Sequence, residues 1–263
     1  MFQPVIPSAG LVGWRFLQNT YDAQFEVFTK STALQRDTDY FRENIGEVTL
    51  AEELVNDRRL LTVALGAFGL QDDIDNRFFV RKILEEGTTS DDALANRFAD
   101  KRYRALSQAF GFGPGEFLKV GATSFVETII DRFEAGSFEL ATGEENDAMR
   151  VALYAQRELP ELAARDTSVE SKWFAIMGDP PLRQVFEMAF GLPSQIGQID
   201  IDQQLGIFKD RARAVFGSDD PAQFVDGALR EDLITKFMVR EQLDSFGGGL
   251  SGGSIALTLL RGG

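Results

Sequence analysis

The apolar residues of this chain recur mainly at steps of three and four positions, the spacing that places them on one face of an α-helix. The clearest example predicts an aromatic-faced helix over residues 11–30, on Trp14, Leu17, Tyr21, Phe25 and Phe28. No segment shows the period-two alternation between hairpin turns that is typical of β-strands. The pattern therefore predicts an all-α fold, a multi-helix array of short capped helices.

A module of two helices occurs three times. In each copy a Thr stands three residues before an acid, a short apolar stretch leads to an Asp, and a helix-like run closes on Ala-Phe-Gly. The Thr and the acid predict a capping box, the Asp predicts the N-cap of a second helix, and the Gly predicts its end. The copies are Thr49 with Glu52, Asp57 and Ala67-Phe68-Gly69; Thr89 with Asp92, Asp100 and Ala109-Phe110-Gly111; and Thr167 with Glu170, Asp179 and Ala189-Phe190-Gly191. Duplication and the chance recurrence of a common helix-hairpin pattern both account for them.

Glycine and proline divide the chain into segments. Residues 1–10 hold two prolines and predict an extended lead-in, and residues 11–245 predict a single helical domain. The segment 111–115 contains three glycines and a proline, which makes it a candidate hinge between two subdomains. Residues 246–263 carry seven glycines and predict a flexible Gly-rich tail.

Three expectations concern the region between the second and third modules. Short helices are predicted at residues 116–120 and 124–135, and a polar, acidic loop is predicted over residues 136–146. A further helix over residues 147–159 runs into Pro160, which is expected to kink or end it.

Composition narrows the functional classes. The chain has no Cys and no His, which removes disulfides, thiolate nucleophiles, the commonest general base and the commonest zinc ligand. We therefore expect a protein that is not an enzyme and binds no cofactor or metal. The net charge of −14 disfavours nucleic acid and anionic membranes as partners. The N-terminus lacks the features of a Sec signal peptide, and no apolar stretch approaches the roughly 20 residues of a membrane helix.

Three segments suggest chemistry, and each has a plainer interpretation. The acidic run 71–76 lacks the Gly of a calcium loop and reads as acids near a helix start. The glycines of residues 111–115 follow a helix, not a strand, so they predict a turn and no phosphate site. Glu170-Ser171 is similar to the catalytic pair of helical lytic transglycosylases, but the downstream Gly-Leu-Met-Gln element of those enzymes is missing.

The aromatic face of the first helix is the candidate partner-binding site. It consists of Trp14, Leu17, Tyr21, Phe25 and Phe28. One interpretation is an ordinary core helix. The other is an interaction helix that packs into a protein partner, which its terminal position favours.

Several stretches together resemble a known family. They are Arg36-Asp37-Thr38-Asp39-Tyr40-Phe41, Asp57–Leu61 with Ala64–Leu70, and Asn76-Arg77-Phe78-Phe79 with Ile83–Gly87, together with the Ala-Phe-Gly strings. Over residues 2 to about 245 the chain resembles the alphaproteobacterial domain-of-unknown-function proteins encoded in flagellar gene clusters. That family has no catalytic residues to transfer to this sequence.

The resemblance implies a non-enzymatic accessory or structural protein of the bacterial flagellar system that acts by protein–protein interaction. The implied location is the cytoplasm, or outside the cell after export through the flagellar apparatus, which needs no cleaved signal. One alternative is a cytoplasmic chaperone or adaptor for a flagellar export substrate. A less favoured alternative is a cell-wall hydrolase that uses Glu170.

Overall fold

The structure is a computed structural model that describes residues 3–247; most of the predicted tail, residues 248–263, lies outside the described residues. Within that range the chain forms helices and no strand, which confirms the all-α prediction. The α-helices of the described range are Gly10–Thr29 (α1), Thr32–Asn44 (α2), Ala51–Asn56 (α3), Arg58–Gly66 (α4), Arg77–Glu86 (α5), Leu94–Arg97 (α6), Arg102–Phe110 (α7), Thr123–Glu145 (α8), Asp147–Ala163 (α9), Val169–Met177 (α10), Pro180–Phe190 (α11), Ile201–Phe216 (α12) and Gly227–Gly247 (α13). Short 3-10 helices lie at Ile45–Glu47, Gln71–Asp73, Ser194–Gln198 and Pro221–Val225.

The described chain divides into two compact units. The first unit holds residues 3–5, 20–144 and 178–180, and the second holds residues 6–19, 145–177 and 181–247. The candidate hinge at residues 111–115 does not coincide with this division, because the chain on both sides of it belongs to the first unit. Its role as a hinge stays a prediction.

The core of the first unit is built around α4, which packs against α2 and α3. The helix begins where Asp57 accepts hydrogen bonds from the backbone N–H groups of Arg59 and Leu60, at 2.9 and 3.1 Å. Such a cap stabilises a helix by about 1 kcal/mol. The apolar residues that follow, Leu60, Leu61, Val63, Ala64 and Leu65, are all buried. The predicted Asp cap of the first module is thereby confirmed.

The predicted loop over residues 136–146 is wrong, because α8 continues without a break to Glu145. Gly136, which the sequence suggests is a stop, lies instead where α8 meets the end of α4. A Cβ at Gly136 would stand 2.8 Å from the carbonyl oxygen of Gly66, and a Cβ at Gly66 would stand 2.7 Å from the ring of Phe133. Both glycines are therefore required by the close approach of two helices.

A further prediction between the modules is wrong, because residues 116–120 form no helix and belong to the connection between α7 and α8. Pro160 does not end its helix, since α9 continues to Ala163, and a kink at this residue stays a prediction.

The second unit has an aromatic core. The Trp173 ring lies 5.3 Å from Phe186 and 5.8 Å from Phe208, both in edge-on arrangements, and Phe186 meets Phe224 at 5.3 Å. The indole N–H of Trp173 donates to the carbonyl oxygen of Asp219 at 2.7 Å, so its polar atom is satisfied. These rings come from α10, α11, α12 and the 3-10 helix Pro221–Val225.

The Ala-Phe-Gly ends of all three modules behave as predicted. Phe68, Phe110 and Phe190 are buried, and the glycines that follow have φ values of 68°, 74° and 63°. These values lie in the left-handed region, which residues with a Cβ rarely adopt. In the first and third copies two reverse hydrogen bonds close a Schellman motif, for example from Leu192 N–H to the Glu187 carbonyl at 2.9 Å.

The predicted capping boxes are wrong in their details. At α3 the acid is Glu53, whose carboxylate accepts from the N–H groups of Thr49 and Leu50 at 2.7 and 3.0 Å. At α10 the cap is Ser168, whose hydroxyl accepts from the Ser171 N–H at 3.1 Å. Each of these two caps thus lies one residue later than predicted, because the neighbouring residue occupies the position where the chain enters the helix.

The second module departs further from the prediction. No helix begins at Thr89, and its hydroxyl donates to the carbonyl oxygen of Pro114 at 2.8 Å. The next helix, α6, receives its cap from Glu86, which accepts from the Leu94 N–H at 2.7 Å. Asp100 does cap the start of α7, since it accepts from the Arg102 N–H at 3.0 Å.

Candidate functional site

The connection between α7 and α8 presents the most exposed aromatic side chain among the residues that the structure describes. It begins at Gly111, whose positive φ turns the chain, and a Cβ there would collide with the backbone carbonyl of Phe117. The Lys119 N–H donates to the carbonyl oxygen of Phe110 at 3.1 Å. The two ends of the segment Gly111–Lys119, which we call the α7–α8 loop, are thereby held together.

Glu116 anchors this loop to the preceding connection between α5 and α6. One carboxylate oxygen accepts from both the backbone N–H and the hydroxyl of Thr88, each at 2.6 Å. The other oxygen accepts from the Gly113 N–H at 3.3 Å. Hydrogen bonds to a charged acceptor are stronger than neutral ones, so this single side chain restrains two segments of the chain.

The backbones of the two connections also touch. A Cβ at Gly87 would stand only 2.7 Å from the Cα of Gly113, so neither position accepts a side chain without displacement. The hydroxyl of Thr89 adds a bond to the Pro114 carbonyl oxygen at 2.8 Å. The α7–α8 loop is therefore held by hydrogen bonds and close packing along most of its length.

At the tip of this anchored loop two apolar side chains face water. Phe117 is 87% exposed and Leu118 is 43% exposed. Between Gly113 and Ser124 the sequence has only one acid, Glu116, and one base, Lys119, although the whole chain carries 41 acids. Since the carboxylate of Glu116 is already bonded to its own chain, the outer surface of the loop is almost free of negative charge.

An exposed aromatic side chain on a restrained, weakly charged surface is suited to binding a protein. Interface centres are rich in aromatic residues and poor in charge, and a restrained loop loses little conformational freedom on binding. The two ionisable side chains of the loop, Glu116 and Lys119, are both bonded to the protein itself. What it offers a partner is apolar contact area.

The predicted partner-binding face of α1 is turned inward. Trp14, Leu17 and Phe28 are buried core residues, so in this fold they offer no surface to a partner. Tyr21 and Phe25 are half-buried and stack on each other at 5.4 Å. The ring of Phe25 also packs edge-on against Phe138, as does that of Phe28.

Glu170 lies in an environment opposite to that of a catalytic acid. Its carboxylate is exposed and accepts a hydrogen bond from Lys209 at 2.8 Å, which lowers the pKa of Glu170. A general acid that works near neutral pH needs the pKa of its carboxyl raised by burial or by another negative charge. The surroundings of Glu170 do not provide that shift.

The acidic run at residues 71–76 is occupied by contacts within the protein. Asp73 accepts from the side-chain amide of Asn76 at 2.6 Å and from the hydroxyl of Tyr103, and Asp75 pairs with Arg58 at 2.8 Å. Burial and the bond to Asp73 raise the pKa of Tyr103. Throughout residues 3–247 no group of three or more acids is placed to hold a metal ion. No helix of the same range is both long enough and apolar enough to cross a membrane.

Sequence reasoning did not find the α7–α8 loop as a site. The sequence predicts a short helix over Phe117 and Leu118 because they are adjacent apolar residues. It gives no sign that Glu116 is more than an ordinary surface acid. A usable signal was present. The pair lies in a stretch of only five residues between Gly115 and Gly121, directly after Pro114, which is the pattern of a loop and not of a long helix face.

The family to which the chain belongs is shown by comparison with known proteins. The family model described as Protein of unknown function (DUF1217) matches residues 67–226, more than half of the 263 residues. The chain is a member of the DUF1217 family. The matched region contains the whole α7–α8 loop and ends before α13.

A crystal structure of a protein from the alphaproteobacterium Agrobacterium tumefaciens shares the fold. The two chains superimpose with a TM-score of 0.73 at 24% sequence identity, and the match covers 92% of this chain and 99% of that one. At this identity the similarity shows the fold alone. Among curated proteins no significant match to this DUF1217 chain is found.

Proposed function

We propose that this DUF1217 protein is a non-enzymatic binding protein whose α7–α8 loop inserts Phe117 into an apolar site on a protein partner. The observation that carries the proposal is an 87% exposed phenylalanine on a loop anchored by Glu116. A free loop with the same residues would lose more conformational entropy on binding. The anchoring removes much of that cost before the partner arrives.

We place this binding activity in the bacterial flagellar system, as an accessory or structural role. The support is the resemblance of the stretches quoted above to proteins encoded in flagellar gene clusters. The DUF1217 match and the alphaproteobacterial relative add the family and the fold, and carry no role of their own. The partner would then be a flagellar component. Cytoplasmic residence and export through the flagellar apparatus are both compatible with this role, and cell fractionation separates them.

The first experiment compares two exposed phenylalanines. Phe117→Ser is the test variant, and Phe78→Ser is its control because Phe78, on α5, is 82% exposed. Tagged wild-type and variant proteins are expressed in the cell of origin, and the co-purified proteins are quantified by mass spectrometry. Burial of one phenylalanine contributes about 1.5–3 kcal/mol. We therefore expect Phe117→Ser to weaken recovery of the specific partner about 10- to 150-fold, with recovery by Phe78→Ser unchanged.

Two results would contradict the proposal. If both variants recovered the same proteins as the wild type, the α7–α8 loop would not be the binding site. If gene deletion left flagella and swimming unchanged, the flagellar assignment would fail even where the loop binds a partner. The two parts of the proposal are thus tested separately.

A further inference from the structure

The α7–α8 loop and the helix before it carry a charge opposite to that of the whole protein. Residues 101–126 contain four bases and one acid, whereas the chain has 27 bases, 41 acids and a net charge of −14. Two of these five charges are bonded within the protein, since Arg102 pairs with Asp100 at 2.6 Å and Glu116 binds Thr88. The three bases that remain are Lys101, Arg104 and Lys119.

These three bases form no ion pair with a carboxylate of the described residues. The ammonium of Lys101 donates to the carbonyl oxygens of Asn96 and Phe98, at 3.0 and 2.8 Å. The ammonium of Lys119 donates to the carbonyl oxygen of Gln108 at 2.8 Å. Because carbonyl oxygens carry no net charge, the positive charges of the three bases stay uncompensated by direct contact.

The same bases lie in a row along α7. Arg104 and Gln108 are four positions apart, so they share a face of the helix and are separated by about 6 Å along its axis. Lys101, at the N-cap, stands three positions before Arg104, and burial and the positive charge of Arg104 lower the pKa of Lys101. Since Lys119 reaches the Gln108 carbonyl, its charge lies near the C-terminal end of α7. We call Lys101, Arg104 and Lys119 the α7 basic row.

The α7 basic row leads to Phe117 on the protein surface. Lys119 is two residues after Phe117, which places their Cα atoms no more than about 7 Å apart. Arg104 and Lys119 are exposed, as is Phe117, and Lys101 is half-buried. A partner that covers Phe117 therefore also comes within reach of the charges of the row.

Acids on the neighbouring elements do not pair with the α7 basic row. The connection before α6 holds two exposed acids, Asp91 and Asp92, and α6 ends on an exposed base, Arg97. Asp179 comes close to the start of the row, because the residue before it accepts a hydrogen bond from the Lys101 N–H at 2.7 Å. The two acids of α5, which packs against α7, pair with bases of their own helix. In the part of the chain that the structure describes, none of these acids forms an ion pair with the row.

We propose that the α7 basic row binds an acidic segment of the protein partner, beside the apolar site that receives Phe117. This proposal rests on the proposed function, because the row borders the side chain that serves there as the anchor. Most of the protein surface repels an acidic partner, and the row attracts it to one place. Charge pairs at the edge of an interface act mainly on the association rate and the orientation of the partner, whereas apolar burial supplies most of the affinity.

The test begins with a probe that assumes nothing about the natural partner. Random peptides of about 12 residues, displayed on phage, are selected on the immobilised full-length protein. We expect the enriched peptides to combine acidic and apolar residues, although the protein as a whole is acidic. The most enriched peptide is then labelled with a fluorophore, and its Kd is measured by anisotropy.

Charge reversal in the row is compared with charge reversal elsewhere. The test variant is Arg104→Glu with Lys119→Glu, and the control is Arg15→Glu with Arg165→Glu, which changes the net charge equally at two other exposed bases. We expect the test variant to bind the peptide at least about tenfold more weakly than wild type, and the control to stay within about twofold. Arg104→Glu alone, which breaks no hydrogen bond of the loop, should weaken binding about threefold. Raising the salt from about 0.05 to about 0.5 M should weaken binding to wild type and leave the test variant nearly unaffected.

Three results would overturn the proposal. They are enriched peptides that are not acidic, equal peptide affinity for wild type and test variant, and an equal loss of affinity in both double variants. Self-association of the wild type that the test variant lacks, measured by sedimentation velocity, would also overturn it, because the row would then bind a second copy of this acidic chain. So would a single-stranded oligonucleotide that binds the row as tightly as the peptide does.

Phe117→Ser separates this proposal from the proposed function. If the peptide binds Phe117→Ser as tightly as wild type and binds the test variant weakly, the row binds acidic segments and the proposed role of Phe117 fails. If Phe117→Ser loses affinity and the test variant does not, the apolar anchor stands and the acidic-segment proposal fails. We expect both variants to lose affinity, with only the loss in Phe117→Ser persisting at high salt.

Discussion

Replacement of Glu116 by Ala is the sharpest test of how the α7–α8 loop is held. The substitution removes an acceptor shared by the Thr88 N–H and hydroxyl at 2.6 Å each, and a longer bond from the Gly113 N–H at 3.3 Å. A hydrogen bond to a charged group contributes about 1.5–3 kcal/mol. The 3.3 Å bond adds little, and the half-buried site lets water replace part of what is lost. We therefore expect the free energy of unfolding to fall by about 2 kcal/mol.

A graded series makes this prediction more specific. Glu116→Gln keeps an oxygen that accepts from Thr88 but loses the charge, so about half the effect, or about 1 kcal/mol, should remain. Glu43→Ala is the control, because Glu43 is an exposed glutamate on α2 and surface substitutions usually change stability by less than about 0.5 kcal/mol. Unfolding in urea gives the three free energies. Hydrogen exchange at residues 111–119 should accelerate in Glu116→Ala more than in Glu116→Gln.

The reasoning would be refuted if Glu116→Ala lost no more stability than Glu43→Ala. It would also be refuted if exchange in the loop stayed at the wild-type rate. Either result would mean that the other contacts of the loop are sufficient to hold it, and that Phe117 is not presented by the Glu116 carboxylate.

Three further predictions concern backbone packing, capping and charge. Gly113→Ala should lower the free energy of unfolding by about 1–3 kcal/mol, because the new Cβ meets the backbone of Gly87. Its control is Gly121→Ala, whose Cβ lies in open space and should be neutral or slightly stabilising. Equal effects of the two substitutions in urea unfolding would contradict this prediction. Asp57→Ala should lower the free energy of unfolding by about 2 kcal/mol, since it removes the cap of α4 and the acceptor of the Tyr40 hydroxyl at 2.7 Å. An unchanged melting temperature would count against this prediction. Burial raises the pKa of Glu134, so the folded state disfavours its ionised form and Glu134→Gln should be more stable than wild type at pH 7. That gain should vanish as the pH falls below about 4.3, the unfolded value, where the carboxyl is protonated in both states; a gain that persisted at pH 3 would rule out the charge as its cause.

The parts of the fold that local chemistry determines were predictable from the sequence. A Gly after a buried Phe requires only a left-handed turn, and Gly69, Gly111 and Gly191 all adopt it. The Asp57 cap likewise depends on bonds made within three residues. Where two adjacent residues compete for one cap, as Glu52 and Glu53 do, the entry direction of the chain decides, and sequence spacing does not reveal that direction.

Features that depend on distant contacts were not predictable. Gly136 has the sequence context of a helix stop, yet a glycine is needed at this position because a Cβ would collide with the carbonyl of Gly66, 70 positions earlier in the chain. The aromatic residues of α1 carry the same spacing whether they face a core or a partner, and only the position of Phe138 shows that several of them face the core. The candidate site was missed for a related reason. The exposure of Phe117 results from bonds that Glu116 makes with Thr88, 28 positions earlier.

The bare ring of Phe117 also affects how the purified protein behaves in solution. An exposed apolar side chain promotes self-association of the protein, and electrostatic repulsion between strongly negative molecules opposes that self-association. The net charge of −14 thus supports the colloidal stability of a protein that displays such a group. High salt screens that repulsion, and acid removes it by protonating carboxylates. Turbidity should therefore appear at lower salt for the wild type than for Phe117→Ser, which provides a simple assay of the loop before any partner is known.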